Sequence, residues 1–159
     1  MNNKIKGLLI GLAALPLAVG CGSDGDSTDS AVEQAQQVQE ELIAAFEAGD
    51  AEALSALHAD DAVFVNGTYR DVVDNRAGME SLHRWVTQVT DRDQSEIVDQ
   101  FVSADGTQGV IVFHWVGNRA DNGEAFDLDM THVYEYEDGM VTHVTVSYAN
   151  PDAYDQLAG

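Results

Sequence analysis

The sequence predicts an α+β domain in which helices near the amino-terminal end pack on an antiparallel sheet formed by the remainder. Three observations carry this. Apolar residues recur at helical spacing through Phe46 and again from Met79 to Val89. From Glu96 onward they alternate one by one instead, and Asp105-Gly106 and Asp138-Gly139 interrupt the alternation as tight hairpin signals. A chain of 159 residues has room for one such domain and one core.

Residues 1–20 stand apart from that core. Lys4 and Lys6 precede an apolar run from Leu8 to Val19, too short to span a bilayer and laid out like a secretory signal. The run ends in Leu17-Ala18-Val19-Gly20-Cys21, which resembles a bacterial lipobox. That resemblance implies cleavage before Cys21, lipidation of its sulfur, and an exported protein held to the cell envelope by the lipid alone. The other reading is an ordinary signal followed by a free thiol. Cys21 is the only cysteine, so no disulfide forms within the chain. Residues 21–30, lipidated cysteine and then GSDGDSTDS, read as a flexible tether, because they offer no apolar area to bury.

The folded domain is expected over residues 31–150, with 151–159 as a tail. Ser30-Ala-Val-Glu33 forms a capping box, and Val32, Ala35, Val38, Leu42, Ala45 and Phe46 make one helical stripe behind it. Gly49 ends that helix and Asp50 caps the next, which buries Ala53, Leu54 and Leu57. After Asp60-Asp61 a short strand, 62–66, is expected, followed by a polar, turn-rich loop over 67–77. A third helix spans 78–90, with Met79, Leu82, Trp85, Val86 and Val89 on its buried side. Strands follow at 96–103, 108–117, 124–137 and 140–149.

Beyond Cys21, five arginines and no lysine stand against all 28 carboxylates, which leaves −23. So acidic a domain is expected to repel nucleic-acid phosphates and anionic lipid head groups, which argues against both as partners. Dense carboxylates without lysine also suit a salty medium, where screening relieves self-repulsion. A generally acidic surface kept for solubility explains the same charge.

The order AFEAGDAEALSALHADDAVF, a glycine-led third helix, then THVYEYEDGMVTHVTVSY is similar to SnoaL-like domains of the nuclear transport factor 2-like superfamily and to ketosteroid isomerases. The resemblance covers nearly all of residues 31–150. It implies a cone-shaped fold: three amino-terminal helices on a strongly curved antiparallel sheet, enclosing one pocket. It further implies a small, mostly apolar ligand, no cofactor, and isomerase, cyclase or hydratase chemistry by acid/base groups. Of the three reagents of ketosteroid isomerases, the tyrosine corresponds to Leu42, the carboxylate base to Asn66 and the acid donor to His132. None is kept.

Alternation then assigns faces. Val144, Val146 and Tyr148 on the last strand, Leu128, Met130, His132 and Tyr134 on the one before, and Val110, Val112 and His114 on the second are expected to point inward. Leu42, His58, Asn66 and Val86 complete the expected pocket. His132 is the candidate acid/base residue, because imidazole transfers protons near neutral pH. Asn66, Tyr148 and His114 would orient the ligand, and Asp127 and Asp129 would face solvent. The plain alternative for each histidine is a hydrogen-bonded strand residue. No metal site is expected, since His143 and Asp129 fall on the face opposite His132 and no paired-ligand spacing occurs.

The same alternation projects Ile111, Phe113 and Trp115 outward as an apolar strip. That strip predicts a homodimer interface or a protein-interaction surface. In the second case the pocket is vestigial and the domain is a non-catalytic module of the envelope. A third reading is ligand capture without turnover.

Overall fold

A computed structural model describes residues 25–67, 72–89, 96–119 and 122–150. The expected signal, Cys21, the start of the tether and the tail at 151–159 lie outside the described residues. Three helices, α1 (Gly25–Ala48), α2 (Ala51–Ala56) and α3 (Arg76–Val89), pack on one curved sheet. The strands are β1 (His58–Asn66), β2 (Val72–Val73), β3 (Glu96–Val102), β4 (Gln108–Asn118), β5 (Ala125–Glu137) and β6 (Met140–Tyr148). Their spatial order is β2-β1-β6-β5-β4-β3.

Local chemistry sets most boundaries where they were expected. Gly49 takes φ 70° at the end of α1, and the Asp50 carboxylate accepts from the Ala53 amide at 2.9 Å to open α2. Gly139 takes φ 73° in the β5–β6 hairpin. Other boundaries move. Helix α1 starts at Gly25, so Ser30 lies inside it and the outer half of the expected tether is helical. Asp29 near its positive end suits the helix dipole. Helix α3 is capped by Asn75, whose side chain accepts from the Gly78 amide at 2.8 Å.

The largest topological difference concerns β1. It begins at His58, not at residue 62, and pairs in parallel with β6, so the sheet is not wholly antiparallel. A bulge between His58 and Val63 lets exposed Asp60 and Asp61 leave the ladder. Further bulges at Ile97/Asp99 and Glu135/Tyr136 bend the sheet around α1 and α3. Strand β2, inside the expected loop, pairs antiparallel with the far edge of β1.

Strand β4 overturns one expectation. Ile111, Phe113 and Trp115 are 0, 4 and 3 % exposed and belong to the core beneath the helices, so they are not an outward interface strip. Val110, Val112 and His114 occupy the other face. The cause is register. Ile111 pairs with His132, Phe113 with Met130 and Trp115 with Leu128, and directly paired residues share a face. The β4–β5 connection is not a two-residue turn, so strand parity could not be carried across it from β5.

The core is tied to the sheet at two tight points. The buried Gln39 amide donates to the Val110 carbonyl at 2.9 Å and the Phe101 carbonyl at 3.4 Å, fastening α1 across β3 and β4. Gly106, at φ 71°, turns against the backbone of α1, where an added Cβ would stand 2.4 Å from the Ala31 carbonyl carbon. Replacing it by alanine combines backbone strain with a clash against main chain. We expect Gly106→Ala to lower unfolding free energy by about 2 kcal/mol or more, read as a lower urea midpoint. An unchanged midpoint would show that this turn does not clamp α1.

Candidate functional site

Between the helices and the concave face of the sheet lies a cavity of about 220 Å³. Helix α1 supplies Leu42 and Phe46, α2 Leu54, and α3 Met79, Leu82, His83, Trp85 and Val86. The strands supply His58, Phe64, Asn66, Val73, Ile111, Phe113, Trp115, Met130, His132, Tyr134, Val144, Val146 and Tyr148. Leu42, Asn66 and His132, the three positions matched to the ketosteroid isomerase reagents, thus line one cavity. So do the expected His58, Val86, Met130, Tyr134, Val144, Val146 and Tyr148.

Val110, Val112 and His114 do not. They follow the β4 register to the convex face, where His114 Nδ1 lies 2.7 Å from Asp129 and 3.8 Å from Asp127. The hydrogen bond to Asp129, with the charges of Asp127, Asp129 and Glu96, raises the His114 pKa. His114 therefore cannot orient a ligand in the cavity. Asp127 and Asp129 face solvent as expected.

His83 is the lining residue of greatest chemical interest that the sequence reading missed. It falls within the α3 stripe between Leu82 and Trp85, and a histidine in such a stripe carries no signal of its own. Its neighbour is His58, with ring centroids 5.4 Å apart. The Arg76 guanidinium donates twice to the His58 carbonyl, at 2.9 and 2.7 Å, and pairs with Asp60 at 3.1 Å. It thereby fixes the start of β1 against the start of α3.

His132 sits across the cavity, edge-on to Phe113 at 4.8 Å, with Nδ1 2.9 Å from the Tyr134 hydroxyl. Its partly uncovered ring opens onto the cavity rather than onto bulk water. Burial in these apolar surroundings disfavours the imidazolium, lowering the pKa to about 4. Burial, reinforced by His58 and His132, lowers His83 to about 3. His58 is lowered as well, chiefly by burial. Burial also raises the Tyr134 phenol, so it stays a neutral hydroxyl. At neutral pH this lining holds three neutral imidazoles, of His58, His83 and His132, beside the phenols of Tyr134 and Tyr148. Among the described residues, no group of three or more His, Cys, Asp or Glu is arranged to hold a metal ion.

These shifts tie stability to pH. The folded-state values of His58, His83 and His132 lie below the unfolded 6.5. Their contribution is complete above pH 6.5 and is lost as pH falls towards the folded values. Each such imidazole costs about 1.4 kcal/mol per pH unit across its window. We expect the urea midpoint to fall between pH 6.5 and 4, and His83→Leu to make that fall shallower than in the parent protein. Parallel falls would remove His83 from the account.

A family model described as a SnoaL-like domain matches residues 40–144. No curated protein matches the sequence. Solved structures do match. A proposed isomerase of Bacillus subtilis is 16 % identical, over 81 % of this chain and 95 % of that one, with a TM-score of 0.69. A proposed polyketide cyclase of Pseudomonas putida is 22 % identical over 77 % and 97 %, with a TM-score of 0.65. A steroid delta-isomerase of Pseudomonas aeruginosa is 18 % identical over 79 % and 86 %, with a TM-score of 0.64. At these identities the likeness speaks for the fold, and the family match agrees with it: the chain belongs to the SnoaL-like domain family.

Proposed function

We propose that this domain binds a small, mostly apolar molecule in its cavity and carries out cofactor-free acid/base chemistry on it, of isomerase, cyclase or hydratase type. One observation supports this above the others: His132, paired with the Tyr134 hydroxyl, stands on the wall of an apolar cavity that it shares with Asn66. Neutral imidazole is free to accept a proton at pH 7, and an imidazolium of pKa about 4 returns it readily. That pattern suits a proton moved from one atom of a ligand to another better than one lost to solvent. Asn66 is placed to orient the ligand by hydrogen bonding, but it cannot act as a base. In the reading proposed here the protein is exported and lipid-anchored through Cys21, on the strength of its amino-terminal sequence alone.

A second reading concerns pairing. Register aligns Phe101, Val110, Val133, Thr145, Val65 and Val72 in one row across the convex face. Phe101 is 56 % exposed, and Val72 and the neighbouring Val98 are 59 % exposed. This row, not Ile111, Phe113 and Trp115, is the surface through which a homodimer or an envelope partner would form. Turnover and pairing are compatible.

For catalysis, a panel of enolisable ketones and activated alkenes supplies candidate substrates. On any substrate turned over, we expect His132→Ala to reduce kcat by about 10²–10⁴-fold, and the parent enzyme to lose activity only as pH falls towards 4. Undiminished turnover in the variant would overturn the assignment. For pairing, sedimentation should give a dimer for the parent protein and a monomer for Phe101→Glu; a parent monomer would end the homodimer reading.

A further inference from the structure

His132 Nδ1 and the Tyr134 hydroxyl, 2.9 Å apart, share one hydrogen between them. Two facts place it on the oxygen. Tyr134 is 6 % exposed, and among the described residues its hydroxyl meets no acceptor but Nδ1. Were the imidazole the donor, the phenol hydrogen would be left in an apolar wall without a partner, at the cost of an unmade hydrogen bond. A phenol oxygen, with a lone pair delocalised into its ring, is also a better donor than acceptor. Burial keeps the phenol from ionising, so the hydrogen is there to give.

A neutral imidazole carries one hydrogen. With Nδ1 accepting, it sits on Nε2. The side-chain atoms both fully enclosed and without a partner among the described residues are Trp115 Nε1 and Tyr136 Oη. His132 Nε2 has no hydrogen bond to a described residue and is not one of those two, so it opens onto the cavity that the ring lines. Phe113 stands edge-on to the ring at 4.8 Å and limits its swing. Apolar surroundings keep the ring neutral at pH 7.

We propose that Tyr134 is a positioning residue: its hydroxyl holds His132 in the tautomer that points an N–H into the cavity, which thereby selects a neutral ligand presenting a carbonyl oxygen. A carbonyl accepts and has no hydrogen of its own to place, whereas an alcohol leaves a hydroxyl hydrogen to bury. An ammonium would set hydrogens against the N–H, and no Asp or Glu lines the cavity to balance its charge. A carboxylate would shed its hydration into apolar surroundings, at high cost. The proposal rests on reading the cavity as a ligand site with His132 on its wall. It deepens that reading by naming the ligand's acceptor, which meets the Nε2 hydrogen before any proton is moved.

The probes are acetophenone and α-methylstyrene, which share a shape but differ in a carbonyl oxygen against a methylene, titrated by NMR into the purified full chain at pH 7. The ratio of their affinities cancels what packing contributes to both. It should fall about tenfold in favour of α-methylstyrene in His132→Phe, where a bound carbonyl loses its donor. In 15N-labelled parent protein without ligand, His132, assigned by the signals that His132→Phe loses, should show a pyridine-type Nδ1 and a pyrrole-type Nε2. In Tyr134→Phe both signals should move towards one another, and the affinity ratio should fall part of the way. A pyrrole-type Nδ1 in the parent would overturn the proposal without any ligand; a ratio unchanged by His132→Phe would also overturn it, and either result leaves the cavity as a ligand site. Signals unmoved by Tyr134→Phe would overturn the positioning role. Binding of neither probe would overturn the selection of a carbonyl ligand and count against the cavity as a site for molecules of this size.

Discussion

The pairing of β4 with β5 is the constraint on which the rest of the molecule depends. It runs without a break from Gln108↔Glu135 to Asn118↔Ala125, the longest ladder in the sheet. Side-chain direction repeats every two residues, so a slip of one position would exchange the two faces of β4. Phe113, Trp115 and Ile111 would leave the core, and the aromatic floor on which Phe46 and His132 rest would vanish. The ladder is held against such a slip on the concave side by burial and on the convex side by the His114–Asp129 bond between directly paired residues. One interaction thus serves the cavity from the face that never touches it.

Apolar periodicity and glycine turns made the fold legible. The Gly49-Asp50 break, the α3 stripe and the β5–β6 hairpin are encoded within a few residues of where they act, and the structure keeps them. What the sequence concealed was non-local. The parallel pairing of β1 with β6 joins segments that share no turn, and the parity of β4 depends on a loop of irregular length. Both errors in the expected site came from that parity: His114 was drawn inward and Trp115 outward. His83 was hidden for another reason, since a helical stripe shows which residues are buried but not which polar member of it meets a cavity.

The cavity combines apolar walls with imidazoles kept neutral by those same walls. Positions matched to a tyrosine, a carboxylate and a carboxylic acid in ketosteroid isomerases hold Leu42, Asn66 and His132. Strong fixed negative charge is therefore missing from those positions, and the chain's carboxylates lie mainly on its outer surfaces. Proton affinity inside is governed by desolvation, outside by neighbouring acids: His132 is shifted down and His114 up, although they stand on adjacent strands with their side chains on opposite faces. A sheet one residue thick separates two opposite electrostatic regimes.

The parallel contact between β1 and β6 also orders events in time. Phe64 meets Val144 and Asn66 meets Val146 only once nearly the whole domain has been made. Until then β1 has its short antiparallel partner β2 alone, and the cavity lacks the wall that β6 provides. Closing so long a loop costs more chain entropy than closing the β4–β5 or β5–β6 hairpin. A chain shortened at its carboxyl-terminal end before β6 would lose Val144, Val146 and Tyr148 from the cavity wall. The cavity is thus closed by the pairing that spans the greatest sequence separation in the sheet.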